Sequence, residues 1–250
     1  MGNLWLYDRA TGIPTQFTSD PLESIRPVWS ADSLQLFFRS SRGGSPDLYQ
    51  RRADGRGVKE SIIELENPQN PDDASLDGRH LVYAEGSRAT GTDLWVLPLA
   101  ERKPRPYLAT NAIEGGARFS PDGRWLAFTT TETGSPEIYV APLDASSARV
   151  RVSAAGGIGA RWRRDGKELF YFTLDNTLMA VPITLGAEVQ HGMARPLFTV
   201  DVFKRSGGNL LEPAYDVSED GQRFLINRMV KDGLRAPITV VLNWPGLLRH

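Results

Sequence analysis

The sequence predicts an all-β protein, a β-propeller built from four-stranded antiparallel blades. Three observations carry this prediction. A strand-turn-strand segment recurs five times along the 250 residues, further short strand-like segments follow each copy, and helical periodicity is nearly absent. Four short strands repeated at a period of about 40 to 45 residues are typical of propeller blades. Five blades fit the repeats, and six blades with incomplete terminal blades are the alternative.

The recurring segment is defined by an aspartate at a predicted turn. The five copies are PVWSADSLQLFFRS, DDASLDGRHLVYAE, ARFSPDGRWLAFTT, ARWRRDGKELFYFT and YDVSEDGQRFLINR. Their turn aspartates are Asp32, Asp77, Asp122, Asp165 and Asp220, at intervals of 45, 45, 43 and 55 residues. Four copies have Asp-Gly, which favours a tight reversal between antiparallel strands. We therefore interpret these aspartates as turn residues and not as catalytic carboxylates.

The strand after each turn has one predicted buried face. Four residues after the turn aspartates come Leu36, Leu81, Leu126, Leu169 and Phe224. Two residues further come Phe38, Tyr83, Phe128, Tyr171 and Ile226. Because alternate side chains of a strand point to the same side, this register predicts a core face in every copy.

Third strands are predicted in DLYQRR, DLWVLPL, EIYVAPL, TLMAVPI and PITVVLNW, and fourth strands in SIIEL, RPYLAT, RVRVS and PLFTV. The predicted blades span residues 21–65, 66–110, 111–154, 155–200 and 201–250. Residues 1–20 look like a third and a fourth strand, and we expect them to complete the last blade. That closure would protect the sheet edges. Exchange of a terminal strand between copies would instead give a homo-oligomer.

Composition excludes several classes of site. The chain has 29 Lys and Arg against 30 Asp and Glu, so net charge does not favour nucleic-acid binding. It has no cysteine, which excludes disulfides and thiolate metal sites. No apolar run reaches about 18 residues, so no membrane insertion is predicted. The first residues lack a signal-peptide pattern, so the chain itself does not specify a compartment.

The turn motifs WSADS, FSPDG and VSEDG, each followed by a strand and then LY, IY or LW, resemble the WD-like Pro-Asp repeats of TolB-type propellers. The end of the chain, from EPAYDVSEDG to PITVVLNWP, is similar to propeller regions that follow bacterial serine/threonine kinase domains and related sensors. The resemblance implies a non-enzymatic platform, often extracytoplasmic, that docks proteins or peptides. The second copy departs from it by lacking the aromatic residue, and the fourth by having Arg163 in place of serine.

The candidate ligand site lies on the first strands, which line the central channel of a propeller. One register of these strands contains Val28, Asp73, Arg118, Arg161 and Asp216. Two interpretations stay open. The charges form inter-blade ion pairs, Asp73 with Arg118 and Arg161 with Asp216, or the arginines bind a carboxylate or peptide terminus at the channel mouth.

Further candidates are predicted toward the entrance of the channel, namely Arg26, Glu114, Glu212 and Tyr215. The glycines of EGGAR and AGGIGAR either leave room for a ligand or relieve crowding near the axis. The long fourth interval predicts a rim loop between Phe198 and Tyr215, whose candidate binding residues are Lys204, Arg205 and Asn209. An insertion without function is equally compatible with this stretch.

Tryptophans recur at strand positions. We expect Trp5, Trp29, Trp95, Trp125 and Trp162 to pack between blades and Trp244 to hold the closing strand. An aromatic contact surface is the alternative for any of them.

Catalytic motifs are missing from the sequence. There is no G-x-S-x-G elbow and no phosphate-binding loop, and the three histidines, His80, His191 and His250, lack H-E-x-x-H spacing. We predict no enzyme, no catalytic residue, no metal and no cofactor. The predicted function is a binding or scaffold module that docks a protein or peptide on the channel rim. The alternative is a channel-based lyase or glycosidase acting on carbohydrate through channel carboxylates, and a structural spacer is a third possibility.

Overall fold

The computed structural model describes residues 2–8, 10–19, 22–41, 46–144, 148–207, 210–228 and 238–241. These residues form strands, turns and bends, with no helix among them. It follows that no helix in this part of the chain is long and apolar enough to cross a membrane. The predicted all-β class is confirmed.

The chain begins with a hairpin and continues with three sheets of four antiparallel strands. The hairpin is β1 (Trp5–Tyr7) and β2 (Pro14–Gln16). Blade 1 contains β3 (Ser24–Trp29), β4 (Gln35–Ser40), β5 (Asp47–Arg52) and β6 (Glu60–Ile63). Blade 2 contains β7 (Gln69–Ala74), β8 (His80–Ser87), β9 (Gly91–Pro98) and β10 (Arg105–Leu108). Blade 3 contains β11 (Glu114–Phe119), β12 (Trp125–Thr130), β13 (Glu137–Pro142) and β14 (Val150–Arg151).

Two further sheets complete the described structure. Blade 4 contains β15 (Ile158–Trp162), β16 (Glu168–Phe172) and β17 (Thr177–Leu185), and β17 pairs with both β18 (Val189–His191) and β19 (Arg195–Thr199). A hairpin of β20 (Lys204–Gly207) and β21 (Leu210–Pro213) follows. Blade 5 contains β22 (Tyr215–Val217), β23 (Phe224–Asn227) and β24 (Ile238–Val241). Sheets of four consecutive antiparallel strands confirm the predicted propeller architecture.

In every blade the turn aspartate accepts a hydrogen bond from the N–H two residues later, and in four blades it also accepts one from a serine two residues earlier. In blade 1 the Ser30 hydroxyl donates to the Asp32 carboxylate over 2.6 Å, and the same oxygen accepts from the Leu34 N–H over 2.9 Å. These bonds, the serine bond first, hold the pKa of Asp32 below its usual value. In blade 4 the side chain of Arg163 takes the place of the serine, with its Nε 2.8 Å from Asp165. The turn aspartates are therefore structural groups.

The predicted core register is confirmed in all five copies. Leu36, Leu81, Leu126, Leu169 and Phe224 are buried, with at most 1% of each side chain exposed. The second set, two residues further along each strand, is equally buried. Most of these side chains lie in clusters formed between neighbouring blades. Burial of apolar surface between stacked sheets therefore stabilises the fold.

The N-terminal hairpin packs on blade 1. Leu4 and Phe17 are buried with Leu36 and Phe38 in one cluster, and the rings of Phe17 and Phe38 meet edge to face with centroids 6.0 Å apart. Within the described residues, β1 and β2 pair only with each other and β24 pairs only with β23. That residues 1–20 complete the last blade stays a prediction.

The long fourth interval contains two hairpins and not a single loop. The first half of β17 pairs with β19, while Ile183–Leu185 pairs with β18 and extends beyond the blade. Apolar side chains stabilise this extension, because Ile183 and Val189 join the cluster that contains Trp125. The second hairpin, β20–β21, replaces the rim loop predicted between Phe198 and Tyr215.

Three tryptophans pack between blades as predicted, and two do not. Trp95, Trp125 and Trp162 belong to or border inter-blade clusters. Trp5 and Trp29 are 58% and 49% exposed, so the packing prediction is wrong for them. Phe119, at the equivalent position of blade 3, packs against apolar residues of blade 2, whereas Trp29 belongs to none of the described hydrophobic clusters. Trp244 lies outside the described residues.

Candidate functional site

The first strands of the five described blades converge on one cavity of about 940 Å³, here called the channel cavity. Turn residues Ser30, Leu76, Pro121 and Ser218 line it, so it opens where the first strands run into the repeated turns. We call this side of the molecule the turn end. The residues of the predicted register on the first strands thus all line this one cavity.

A bulge in the first strand directs side chains toward this cavity. In β11 the pairing with β12 shifts between Gly115 and Arg118, and in β15 the pairing with β16 shifts between Ile158 and Arg161. A residue with positive φ lies in each bulge, Gly116 at 64° and Gly159 at 70°. Bulges commonly re-aim the side chain that follows them. Here that side chain is the arginine.

Gly159 is required by close packing. A Cβ atom at this position would lie 2.3 Å from Cγ of Pro213, well inside van der Waals contact. Of the two roles considered for the AGGIGAR glycines, relief of crowding is therefore the one that Gly159 fills.

The two channel arginines are held in the same way in adjacent blades. Nη1 of Arg118 donates to the carbonyl oxygen of Ala117 over 2.7 Å and also to that of Asp72. Nη1 of Arg161 donates to the carbonyl oxygen of Ala160 over 2.8 Å. Main-chain carbonyl oxygens thus orient both guanidiniums at the cavity wall.

Acidic groups accompany the arginines and tie the blades together. The Asp73 carboxylate accepts a hydrogen bond from the Phe119 N–H of the next blade over 2.9 Å. Burial raises the pKa of Asp73, and the nearby charges of Arg118 and Arg161 oppose that increase. The carboxylate of Asp216 lies 4.0 Å from Nε of Arg161, and its side chain is 75% exposed. The second predicted ion pair is therefore present at the outer limit of ion-pair distance.

Aromatic rings form part of the cavity wall. The hydroxyl of Tyr215 donates to the Gly159 carbonyl oxygen over 2.7 Å, which fixes the ring. The guanidinium carbon of Arg161 lies 5.2 Å from the centroid of this ring, a cation–π distance. Trp29 also lines the cavity, and its indole is exposed. The cavity therefore combines fixed cations with flat apolar surfaces.

Five of the predicted site residues are brought together in the channel cavity: Asp73, Arg118, Arg161, Tyr215 and Asp216. Arg26 is buried behind the wall, with Nη1 3.7 Å from the Asp72 carboxylate. Glu114 begins β11 and lies at the other end of the channel strands. The backbones of Lys204 and Arg205 lie in β20 and that of Glu212 in β21, and Asn209 lies outside the described residues.

The sequence interpretation did not single out several lining residues. Asp72, Arg164 and Glu219 line the cavity, and so does Trp29, which was expected to pack between blades. Arg164 precedes the turn aspartate of blade 4, and it is the only cation at this position among the five copies, which was an available signal. Asp72 could not be found this way, because its role depends on the bulge geometry of the neighbouring strand.

Buried carboxylates mark the other side of the molecule, here called the opposite end. Glu85 and Asp93 are cross-strand neighbours in blade 2, and Glu114 opens blade 3 next to an inter-blade bridge between Thr92 and Ile113. All three side chains are buried. The Thr110 hydroxyl donates to one Glu114 oxygen. The other Glu114 oxygen has no hydrogen-bond partner within the described residues.

Burial changes the proton affinity of this cluster. Desolvation raises the pKa of Glu114 to about 7, and the negative charge of Asp93 adds to the effect. Desolvation also raises the pKa of Glu85. Within the part of the chain that the structure describes, no three His, Asp or Glu side chains converge in a way that could hold a metal ion.

Comparison with known protein families finds no family model that matches the chain. Among curated proteins, TolB of the Tol-Pal system from Wolinella succinogenes is 27% identical over 130 residues, which cover 50% of this chain and 30% of that protein. Tricorn protease homolog 1 from Streptomyces coelicolor is 35% identical over 80 residues, which cover 31% of this chain and 7% of that protein. The chain thus spans less than a third of the length of these relatives.

Solved structures give the fold. TolB from Acinetobacter baumannii superposes with a TM-score of 0.73 at 17% identity, covering 96% of this chain and 57% of that one. An oligogalacturonate lyase in complex with manganese superposes with a TM-score of 0.68 at 16% identity, covering 98% and 68%. The chain therefore has the TolB-type β-propeller fold. Since a Tol-Pal system protein and a lyase share it, the fold alone does not separate a binding module from an enzyme.

Proposed function

We propose that this chain is a non-enzymatic binding or scaffold module that docks a protein or peptide at the channel cavity. The observation that supports this most directly is the pair of equivalent arginines, Arg118 and Arg161, on one cavity wall. Main-chain carbonyls orient both guanidiniums, and aromatic surface lies beside them. A cavity of about 940 Å³ has the volume of sites that accept a small ligand or a few residues of a peptide.

The chemistry of the wall suits a carboxylate. An arginine presents donors in a planar fork that matches the two oxygens of a carboxylate group. Because the guanidiniums are already oriented, binding costs less side-chain entropy than it would with mobile side chains. The exposed indole of Trp29 offers apolar surface for a neighbouring side chain.

The charge balance favours a peptide over a polyanion. Arg118, Arg161 and Arg164 line the cavity together with the acidic residues Asp72, Asp73, Asp216 and Glu219. A ligand must therefore satisfy acceptors and donors at once, as a peptide main chain with a free C-terminal carboxylate does. A nucleic acid backbone would meet unfavourable carboxylates.

The proposal includes an extracytoplasmic location, which the TolB resemblance implies. Exchange of terminal strands between copies, as predicted from the sequence, would appear as a dimer in a mass measurement in solution.

The test uses peptides that differ only at the C-terminus. A fluorescent peptide library with free carboxylates is compared with the same library amidated, and anisotropy reports binding to the wild type and to the Arg118→Ala and Arg161→Ala variants. We expect the free carboxylate to bind about tenfold tighter than the amide and each alanine variant to lose about that factor. Arg79→Ala is the control, since Arg79 is an exposed arginine of the blade 2 turn.

Equal binding of both libraries, or variants that bind as the wild type does, would contradict the proposed site. Circular dichroism and urea unfolding of each variant distinguish a lost ligand from a lost fold.

The alternative is an enzyme acting on carbohydrate, which the superposition with an oligogalacturonate lyase supports at the level of the fold. Its candidate groups are the channel carboxylates Asp73 and Asp216. Incubation with oligogalacturonate, with and without Mn²⁺, followed by product chromatography tests it. Cleavage that Asp73→Asn and Asp216→Asn abolish would replace the binding proposal with this one.

A further inference from the structure

A second cavity of about 730 Å³ lies between blades 2 and 3, separate from the channel cavity, and we call it the blade 2–3 cleft. Its walls are the outer strand of blade 2 and the end of β13 in blade 3. Apolar groups form its floor, namely Val96, Pro106, Tyr107, Trp125, Pro142 and Leu143. None of the candidate ligand-binding residues lines this cleft, although Trp125 does, for which an aromatic contact surface was the alternative to packing between blades.

The cleft is preformed. The hydroxyl of Tyr107 in blade 2 donates to the Pro142 carbonyl oxygen in blade 3 over 2.9 Å, which fixes the distance between the walls. The Tyr107 ring also meets Phe128 edge to face at 5.9 Å. Ala187, at the tip of the β17–β18 hairpin, supplies a third wall. A ligand therefore finds a rigid surface and does not have to order it.

Charge separates this cleft from two similar clefts in the same molecule. The blade 2–3 cleft is lined by Arg105 and Arg124 with one acid, Asp144. The blade 1–2 cleft is lined by Asp32 and Asp77 with one arginine, Arg102, and the blade 3–4 cleft by Asp122 and Asp165 with one lysine, Lys167. The architecture is common to all three, but only the blade 2–3 cleft has an excess of cations among its described lining residues.

Arg105 and Arg124 lie where they can pair with the carboxylates of a bound ligand. Arg124 is held by its Nε, which lies 2.8 Å from the Asp122 carboxylate, so its terminal nitrogens are displayed from a fixed position. Arg105 is exposed at the start of β10, directly before Pro106 and Tyr107 of the floor. The cations therefore border the apolar floor.

We propose that the blade 2–3 cleft is a second recognition site, for a short peptide segment of a partner protein in which acidic residues flank one bulky apolar side chain. The apolar side chain enters the cleft, and the carboxylates meet Arg105 and Arg124. This site recognises internal side chains, so it is independent of the terminal carboxylate proposed for the channel cavity.

Side-chain capture fits this cleft better than addition of a β-strand. The strand β10 is the edge of blade 2, but Pro106 removes one N–H donor from it. The pairing of β10 with β9 is also irregular between Pro106 and Leu108. Both features disfavour a regular ladder with an added strand.

The test uses hexapeptides that are acetylated and amidated, so that no terminal charge can engage the channel cavity. One panel has two acidic residues around a single Phe, Leu or Trp. A second panel has the matching amides in place of the acids, and a third has glycine in place of the apolar residue. Fluorescence anisotropy measures binding to the wild type and to the double variant Arg105→Glu/Arg124→Glu.

We expect the first panel to bind and the double variant to lose about tenfold or more in affinity, since two attractive charges become repulsive. Lys167→Glu, the same reversal in the blade 3–4 cleft, should bind as the wild type does, and so should Arg118→Ala. A photoreactive peptide should crosslink to residues 105–107 or 142–143.

Several results would overturn the proposal. They are absence of binding by the first panel, equal binding by either of the other panels, unchanged affinity of the double variant, crosslinks to the channel cavity, and equally tight binding of a single-stranded RNA oligomer. The double variant changes exposed side chains, and its unfolding midpoint in urea confirms that its fold is retained.

Discussion

The turn end and the opposite end of the channel strands both contain carboxylates, but the neighbours of these carboxylates differ in charge. At the turn end, Asp73 and Asp216 lie beside arginines. At the opposite end, Glu85, Asp93 and Glu114 are buried together, and each has one oxygen without a hydrogen-bond partner within the described residues. Strand β11, which contains Arg118 and Glu114, thus connects a cavity lined by compensated charges to a cluster in which acids face other acids.

This difference separates the part of the fold suited to ligand binding from the part whose side chains take up protons. Fixed cations beside an open cavity favour binding of an anionic group. Carboxylates that lose water without gaining cations become easier to protonate. We therefore expect the buried acids of the opposite end to make the free energy of unfolding depend on pH. We expect the turn end to bind the anionic group of a ligand.

The largest effect should separate a residue exposed in the channel cavity from one packed between blades. Trp125→Ala removes a side chain that is 6% exposed between blades, and we expect a loss of about 3 to 5 kcal/mol in the free energy of unfolding. Trp29→Ala removes a side chain that is 49% exposed in the channel cavity, and a loss of about 1 kcal/mol or less is expected. Urea unfolding measures both. Equal losses would show that the turn end is part of the core.

The next effect concerns the opposite end. The pKa of Glu114 is raised to about 7 in the folded protein, against an unfolded value near 4.3, so the folded state binds the extra proton. Stability should therefore fall as pH rises from about 4.5 to 7. Glu114→Gln should remove the part of this dependence that Glu114 contributes, while the raised pKa of Glu85 still contributes, and it should gain on the order of 3 kcal/mol relative to wild type between pH 4 and pH 8.

Unfolding free energies of both proteins across this pH range check the prediction. The control is Glu188→Gln, at an exposed position, which should leave the dependence unchanged. A wild type whose stability does not fall between pH 5 and pH 7 would contradict it.

The smallest effect concerns the turn aspartates. Their contribution to the free energy of unfolding should rise with pH, opposite to that of Glu114. Hydrogen bonds from the Ser218 hydroxyl and then the Gln222 N–H lower the pKa of Asp220. Such a group stabilises the fold above the unfolded pKa, near 3.9, and the contribution is lost as pH falls through the folded value. Asp220→Asn should thus lower the urea midpoint slightly at pH 7, and the difference should fade below about pH 4.

Asp201→Asn serves as the comparison, since Asp201 is exposed and makes no hydrogen bond within the described residues. A midpoint difference for Asp220→Asn that grows on acidification would refute the assigned role.

Much of the fold was predictable because it is local and repeated. The Asp-Gly turns and the alternating apolar residues from Leu36 to Ile226 specify strands, turns and buried faces within short windows of sequence. The β17–β18 hairpin was not predictable in this way. Its apolar side chains pack on Trp125, about 60 residues earlier in the chain, so its stability depends on a tertiary contact.

The candidate site was predictable only in part. The shared register of Asp73, Arg118, Arg161 and Asp216 follows from repeat alignment, whereas the position of Glu114 does not. Strand alternation places Glu114 and Arg118 on one face, but the bulge at Gly116 interrupts that alternation. The blade 2–3 cleft has no sequence signature, because its residues come from five separate strands and three turns.

The sequence by itself determined the repeating unit of this protein, since turn chemistry and period-two burial act between residues that are close in the chain. Tertiary structure alone decided which charges face a cavity and which are buried, because that depends on how the blades stack and where the strands bulge. The physical reason is the distance along the chain over which each interaction acts. Hydrogen bonds in a turn join residues a few positions apart, whereas the desolvation of a charged side chain depends on every neighbour that the fold brings near.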